Sequence, residues 1–399
     1  METIGNTTTF EEQNRVLFFA AMTICLLGQL LSLSYWPGRG MGNYITYVGL
    51  LVLMPRFVSV LSAMRPVQSV FVLLTFPLIL LTCYNVIEKV NVFLPYVFVI
   101  SAKNIKFRLI IKYFFVINLV FLVSSLIFSR LGIVKDYINE RAMFDMVEGI
   151  RGDTVVRHSF GYGWVTSFPA HVTYLWAMWL YLRKGFLKFY EYILLFFSIW
   201  FVNHFCDARM ESATLFLLGI MSLYYRYRVE GTQGLSFLEN FYLKFSVPIF
   251  AFVSIYLTYQ YEVVGGEVYE VMDFVASGRL SLGADAMFTA GIPLFGQAYK
   301  QIGGDIAGNA YNYIDCSYLA WLIIYGVFFF ILATSSLTYI CHKSIREREF
   351  LLAIIMSLLA IEGSIVSVFL NFAYNPFIMA TFAEWDESVQ PEADMANSL

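Results

Sequence analysis

Three arginines beside long apolar runs are the residues best suited to chemistry in this 399-residue chain. Arg157 precedes one run, Arg209 lies in a short turn between two runs, and Arg279 lies in the longest interval that cannot be a membrane span. A guanidinium group is permanently charged, and its planar fork matches phosphate oxygens. The three side chains together predict a pyrophosphate site. The alternative is a local carboxylate partner for each arginine: Asp153, Asp207 or Glu211, and Asp273.

Two carboxylates and one histidine could act on a substrate. Asp315 stands at the mouth of an apolar run, as an acid or base or as a helix N-cap. Glu362 lies within an apolar run, where a carboxylate is a functional candidate unless Asn371 or Ser364 satisfies it. His171 lies about one turn into another run, where a hydrogen-bonded structural histidine is the alternative to a catalyst.

Other classes of site are disfavoured by the sequence. It has no HExxH motif, no DxD motif and no paired histidine cluster, so we expect neither a metal nor another cofactor. It has no basic tract, so we expect no nucleic-acid partner. The five cysteines lack CxxC spacing and are expected to be apolar filler.

The composition indicates the class of protein that must position these groups. Hydrophobic residues make up 59% and charged residues 14%, against about 25% charged in soluble domains. Apolar runs of about 18 or more residues recur, and continuous runs favour membrane-spanning helices over barrel strands. We therefore predict an all-α polytopic membrane protein with 11 or 12 transmembrane helices. The predicted spans are Val16–Trp36, Tyr44–Met64, Val67–Tyr84, Val92–Ser101, Leu109–Phe128, Val165–Leu182, Tyr190–Phe205, Ala213–Tyr225, Phe241–Tyr261, Tyr318–Ile340 and Phe350–Phe369, with Phe377–Phe382 as a twelfth span or an interfacial segment.

Lysines and arginines in the short loops predict the orientation. The clusters around Lys106, Lys188, Arg226 and Lys343 fall on one side, which is therefore expected to be cytoplasmic together with the N-terminus. The two long loops, residues 129–164 and 262–314, are then external. The chain is treated as a single membrane domain over residues 1–399, and the polar tail, residues 384–399, is expected to be disordered.

Each long external loop carries its own prediction. In the first, apolar residues at near-helical spacing (Val134, Tyr137, Ile138, Phe144, Val147 and Ile150) predict an amphipathic interfacial helix, with a packed loop element as the alternative. In the second, repeated glycines favour a lid with its tip near Gln297, and a fixed plug is the alternative.

Several short motifs, taken in order, resemble a known family. They are Arg157-x-Ser-Phe-Gly-Tyr, Ala208-Arg209, Ser277-Gly-Arg279, Pro293-Leu-Phe-Gly, Asp315-x-x-Tyr-Leu, and Glu362 followed by Asn375-Pro. With the topology of the whole chain, they resemble the bacterial O-antigen and capsular repeat-unit polymerases of the Wzy type, relatives of the O-antigen ligases. Many relatives read Gly-Phe-x-His-Pro-Asn after the first arginine, whereas here eleven residues run from Gly161 to His171.

The resemblance implies a metal-independent glycosyltransferase with a C-type glycosyltransferase fold in the bacterial inner membrane. It would join undecaprenyl-pyrophosphate-linked oligosaccharide repeat units into O-antigen, capsule or exopolysaccharide at the outer face. Arg157, Arg209 and Arg279 would bind the pyrophosphate, and the catalytic candidates would be Asp315, His171 and Glu362.

The resemblance also suggests partners and leaves alternatives. Membrane lipid surrounds such an enzyme, and a chain-length regulator and a flippase are the protein partners it suggests. A ligase that transfers finished glycan shares the donor and the chemistry. A transporter or flippase for the lipid-linked sugar is the third hypothesis. Such proteins tend to show inverted repeats and charges at the membrane midplane, and this sequence shows no repeat.

Overall fold

The secondary structure is mainly helical, as the apolar runs predict. The computed structural model describes residues 2–145, 149–230, 234–303 and 311–385. Within these ranges the helices are α1 (Glu2–Ser32), α2 (Gly42–Ser62), α3 (Pro66–Asn85), α4 (Lys89–Ser101), α5 (Phe107–Arg130), α6 (Ser167–Leu182), α7 (Phe189–Cys206), α8 (Arg209–Tyr224), α9 (Phe237–Val263), α10 (Glu267–Val275), α11 (Arg279–Ala290), α12 (Ser317–Ile323), α13 (Gly326–Arg346) and α14 (Phe350–Gly363). Two strands, β1 (Ile138–Asp145) and β2 (Gly149–His158), form a hairpin.

The chain is a multi-pass membrane protein. In the described ranges, seven helices are long and apolar enough to cross a membrane, namely α1, α2, α3, α5, α7, α9 and α13. Helices α4, α6, α8 and α14 occupy other predicted spans but have only 13 to 16 residues. The described residues therefore contain fewer helices of spanning length than the 11 or 12 predicted. Such short helices are tolerated at membrane depth where neighbouring protein satisfies their ends.

The first two helices show how the bundle packs. A Cβ atom at Gly28 of α1 would lie 2.6 Å from the carbonyl oxygen of Gly42. A Cβ atom at Gly49 of α2 would lie 2.4 Å from the sulfur of Cys25. Glycines therefore let these two backbones approach closely, which is how membrane helices gain packing energy where lipid removes the hydrophobic drive.

The prediction of an amphipathic helix in the first long loop is wrong. The segment forms the antiparallel hairpin of β1 and β2, in which Asn139 pairs with Arg157 and Ile138 pairs with His158. The β-branched run Thr154-Val155-Val156 favours a strand over a helix. Residues 146–148 at its turn lie outside the described residues. The hairpin carries Arg157 on its second strand.

The predicted span Tyr318–Ile340 is interrupted. Helix α12 ends at Ile323, and α13 begins at Gly326, whose φ of 89° is the left-handed conformation that favours glycine. The freed carbonyl group of Ile323 accepts a hydrogen bond from Nε2 of Gln297 at 2.9 Å. The carbonyl group of Ile324 accepts one from the Gln297 amide at 3.0 Å. Part of the second long loop therefore satisfies the carbonyl groups left free at the break between the two helices.

The lid prediction finds no support around Gln297. Besides its two bonds to the helix break, its side chain donates to the carbonyl group of Gly291 at 3.2 Å. The next residue back, Gly296, is packed so tightly that a Cβ atom there would lie 2.8 Å from Val86. These contacts favour the fixed-plug alternative for residues 291–303, while residues 304–310 lie outside the described residues.

The segment of residues 364–385 follows α14 and contains no α-helix. Its beginning lies near α11, where the carbonyl group of Ile365 accepts a hydrogen bond from Arg279. Its end lies beside α5, where the amide of Glu384 donates to the carbonyl group of Ile105 at 2.9 Å. The short apolar stretch Phe377–Thr381 is a buried 3-10 helix, so it is neither a helical span nor an interfacial segment. The described residues Glu384 and Trp385 are held by hydrogen bonds, Glu384 through its backbone to Ile105 and Phe107 and Trp385 through its indole to the carbonyl group of Ala380.

Contacts outside the long helices form two groups. In one, Arg108 donates to the carbonyl group of Leu182, and the Lys343 ammonium lies over the ring of Trp385. In the other, Trp164 of the first long loop packs against Gly303 of the second. Which group faces the cytoplasm stays a prediction.

Candidate functional site

Arg157 is positioned by the hairpin and by the end of α7. Its Nε atom donates to the carbonyl group of Cys206, the last residue of α7, at 2.9 Å. Cationic side chains commonly bond the free carbonyl groups at a helix C-terminus. Burial lowers the pKa of the Arg157 guanidinium, and the carboxylates of Asp207 and Glu211 oppose that shift. Arginine stays charged in proteins, so the site holds a partly desolvated cation.

Arg279 begins α11, and its own backbone turn places it. Asp273 accepts hydrogen bonds from the amides of Leu280 and Ser281 at 2.8 and 3.0 Å, and so caps the helix. Asp273 is therefore a helix cap rather than the predicted partner of Arg279. The Arg279 side chain donates to the carbonyl groups of Ile365 and Ala276, each at 2.8 Å.

Asp315 lies opposite Arg279. The distance between Nε of Arg279 and Oδ2 of Asp315 is 3.9 Å, and only 18% and 24% of the two side chains are exposed. The hydroxyl group of Tyr311 donates to Asp315 at 3.4 Å. Burial raises the pKa of Asp315, while Arg279, Tyr311 and Arg157 act to lower it. The residue that caps α12 is Cys316, so the N-cap alternative for Asp315 is wrong.

Glu211 joins these groups from the first turn of α8. Its side chain is 3% exposed and interacts electrostatically with Arg279, Arg157 and Asp315. The structure thus brings two predicted arginines and one predicted acid together with a second acid. The sequence suggested Glu211 only as a partner for Arg209. Glu211 follows Arg209 by two residues in the first turn of α8, and this closeness in sequence was the only signal that pointed to it.

Arg209 stands apart from this cluster. About 65% of its side chain is exposed, and its Nε atom lies 3.4 Å from Oδ1 of Asp207. The predicted local pairing therefore holds for this arginine. Because Asp207 also interacts with Arg157, Arg209 borders the site rather than lining its centre.

His171 is enclosed in the protein interior. It is 0% exposed, and its Nδ1 atom lies 2.5 Å from the hydroxyl group of Tyr162. Its ring packs edge-on against Tyr374 with centroids 5.1 Å apart. This environment favours the alternative of a hydrogen-bonded structural histidine, because no part of the His171 side chain is exposed to a substrate.

Glu362 lies at the end of α14 and is 2% exposed. Neither predicted partner satisfies it: Ser364 donates to the carbonyl group of Ala360, and the side-chain oxygen of Asn371 accepts from the amide of Ala373. Among the described residues, neither carboxylate oxygen of Glu362 has a hydrogen-bond partner. Its electrostatic neighbour is Glu211.

Aromatic side chains border the acidic part of the site. Tyr313 donates or accepts a hydrogen bond with Ser367 at 3.3 Å, and burial raises its pKa to about 12. Its ring lies 6.5 Å from that of Trp164, between centroids. The two long loops therefore contribute one ring each to this contact, and Tyr313 is the ring that interacts with Asp315. Neutral tyrosine and tryptophan rings offer apolar faces with a polar handle.

The described residues contain no group of three or more histidine, cysteine, aspartate or glutamate side chains that could hold a metal ion. The chain was compared with protein-family models, with curated proteins and with solved structures, and none of them matches.

Proposed function

We propose that this protein is a membrane glycosyltransferase that polymerises undecaprenyl-pyrophosphate-linked oligosaccharide repeat units at the outer face of the bacterial inner membrane. The observation that carries the proposal is the convergence of Arg157 and Arg279. They come from a hairpin and a helix more than a hundred residues apart, and both act on Glu211 at one end of a helical bundle.

The arrangement suits a lipid pyrophosphate leaving group. Charge develops on the pyrophosphate as its bond to the sugar breaks, and fixed cations stabilise such charge without reorganisation. Two of the donors of Arg279 are held by backbone carbonyl groups, which fixes the plane of its guanidinium. Fixed geometry is what makes bidentate binding of phosphate oxygens effective.

The acidic part of the site suits the acceptor. An acceptor hydroxyl group must lose its proton as the new glycosidic bond forms, and a carboxylate is a suitable proton acceptor. Asp315 and Glu211 both lie beside the arginines. Trp164 and Tyr313 would supply stacking faces for sugar rings.

The test uses purified protein reconstituted into lipid vesicles with lipid-linked repeat units from the native host. Polymerisation gives a ladder of lengthened glycans still attached to undecaprenyl pyrophosphate. Transfer of glycan to a different lipid would instead identify a ligase. Movement of the lipid-linked sugar across the bilayer without any longer product would identify a flippase and overturn the proposal.

A further inference from the structure

Helix α10, in the second long loop, carries an apolar stripe that its fold leaves largely exposed. The stripe consists of four residues at the spacing i, i+3, i+4 and i+7, which places them on one face of the helix: Val268, Val271, Met272 and Val275. Each of them is 41 to 66% exposed. The opposite face carries the carboxylates of Glu270 and Asp273. A helix with this division of faces usually lays its apolar side against a second apolar surface.

The position of α10 is set by the helix before it. Helix α9 is one of the helices long and apolar enough to cross a membrane, and it has 27 residues. It is therefore about 40 Å long, against about 40–45 Å for a bilayer with its headgroups. Near its end it exposes Tyr256 and Tyr259, and tyrosine is enriched at the headgroup level. Only residues 264–266 separate α9 from α10, so α10 lies close to the membrane surface.

The exposed apolar surface continues from α9 into α10. Val263, the last residue of α9, and Val264 in the connection are both more than half exposed. A protein partner on the stripe would therefore also have to cover the part of α9 that faces lipid. Residues 262–278 contain no lysine or arginine, so attraction to anionic headgroups does not hold α10. Burial of its apolar side chains in lipid does.

Two sets of hydrogen bonds tie α10 to Arg279. The carbonyl group of Ala276, the residue that follows α10, accepts a bond from Nη1 of Arg279 at 2.8 Å. Asp273, on the face away from the stripe, accepts bonds from the amides of Leu280 and Ser281 in the first turn of α11. The depth of α10 in the membrane therefore sets the depth of Arg279.

We propose that α10 is an interfacial anchor, which inserts its apolar stripe into lipid at the membrane surface and holds Arg279 at the level of the lipid phosphate groups. The surface that covers the stripe is the boundary between headgroups and acyl chains. Helices of this kind bury their apolar face about 5–10 Å into that boundary. The inference does not rest on glycosyl transfer, because the phosphate of any lipid at this depth is level with the guanidinium group.

Spin labelling of the protein in lipid nanodiscs tests the anchor. Nitroxide labels on single cysteines in the stripe should be more accessible to oxygen, which dissolves in lipid, than to a water-soluble nickel complex; the positions are Val268, Val271, Met272 and Val275. The matched control is Glu270→Cys on the opposite face, where the nickel complex should have the greater access. The five native cysteines are buried and should take up little label.

Two results would overturn the anchor. One is a set of stripe labels that meet the nickel complex as readily as the label at Glu270 does. The other is a set of stripe labels shielded from both reagents, with spectra broadened by coupling between labels, which would show that a second copy of the chain covers the stripe.

A label on α11 tests the link to Arg279. Asp285 is an exposed position on that helix and is suited to the label. Val271→Asp places a charge in the stripe and should lift α10, so the label at Asp285 should become more accessible to the nickel complex. Glu270→Gln leaves the stripe intact and should leave the label unchanged. A label that does not respond to Val271→Asp would overturn the control of Arg279 by α10. Neither measurement uses turnover, so a protein that extends no glycan would overturn the proposed function alone.

Discussion

Nε of Arg279 lies 3.9 Å from Oδ2 of Asp315 while it donates to the carbonyl group of Ile365 at 2.8 Å. The two side chains therefore face each other without a direct hydrogen bond through this atom, and a third segment of the chain holds the arginine in place. The remaining donors of the guanidinium can be offered to an anion without loss of the bond that orients it.

The first prediction separates the arginines. Arg157→Lys and Arg279→Lys should each abolish polymer formation or lower it by about 100-fold, because a lysine cannot reproduce the planar fork or its backbone hydrogen bonds. Arg209→Lys is the matched control and should lower it by less than about tenfold, since Arg209 is largely exposed. Glycan length on gels, at equal protein levels in the membrane, measures the difference. Equal losses for all three variants would mean that Arg209 belongs to the centre of the site.

The second prediction concerns the effect of Asp315 on the pH dependence of protein stability. Burial raises the pKa of Asp315, so the folded protein binds this proton more tightly than the unfolded chain does. The contribution of Asp315 to stability is therefore largest at low pH, below the unfolded value of about 4, and is lost as the pH rises through the folded pKa. Asp315→Asn should raise the melting temperature at pH 7 relative to the wild type, and this gain should shrink as the pH falls.

The control for Asp315 is Asp285→Asn, which removes an exposed carboxylate from α11 in the same loop. It should leave the melting temperature nearly unchanged across the same pH range. A melting temperature for Asp315→Asn that lies below that of the wild type at pH 7 would show that its contacts with Arg279 and Tyr311 outweigh the cost of burial.

Much of the fold could be predicted because lipid imposes simple rules on sequence. Apolar runs located the seven long helices. The two sides inferred from the charged short loops stay a prediction. The hairpin was missed because apolar residues at helical spacing between Val134 and Ile150 competed with the β-branched run at Val155. The break at Gly326 was missed because a single glycine in an apolar run is compatible with a continuous membrane helix.

The site was predicted only in part. Arg279 and Asp315 end the same loop, so their approach needed only that loop to fold back. Glu211 was predicted only as a local partner for Arg209, because its burial beside Arg157 and Arg279 depends on which face of α8 turns toward α14. Conversely, His171 was an attractive candidate by residue type, yet the packing of Tyr162 and Tyr374 encloses it.

The third prediction tests the structural role of His171. Tyr162→Phe removes the hydroxyl group that lies 2.5 Å from Nδ1 and leaves that buried nitrogen unsatisfied. The free energy of unfolding should fall by about 1–3 kcal/mol, which a lowered melting temperature would report. Turnover per folded molecule should stay within about twofold of the wild type. A large loss of turnover without loss of stability would return His171 to the catalytic candidates.

The fourth prediction is the orientation in the membrane. Cysteines placed at the exposed positions Gly40 and Glu267 should react with an impermeant reagent added to intact cells, and those at Lys106 and Arg346 should not. The five native cysteines are all buried, so their background reactivity should be low. Labelling at Lys106 from outside would invert the proposed orientation and place the arginine site in the cytoplasm.

The fifth prediction concerns the break between α12 and α13. Gly326 has a φ of 89°, and a Cβ atom there would lie 2.4 Å from the amide nitrogen of Gly296 and 2.8 Å from the carbonyl oxygen of Leu294. These neighbours are backbone atoms, which cannot rotate away. Gly326→Ala should therefore lower the free energy of unfolding by about 2–5 kcal/mol, through backbone strain and overpacking together.

Gly40→Ala is the control for this break, because no atom lies within 4 Å of a Cβ atom at Gly40. Its effect should stay within about 0.5 kcal/mol, as for most surface substitutions. Gln297→Ala tests the same junction by removing the side-chain hydrogen bonds to the carbonyl groups of Gly291 and Ile323. The free energy of unfolding should fall by about 1–3 kcal/mol, because the Ile323 carbonyl group is left unsatisfied. If both junction variants melt like the wild type, residues 291–303 are held loosely, and a loop that closes over its substrate becomes the better description.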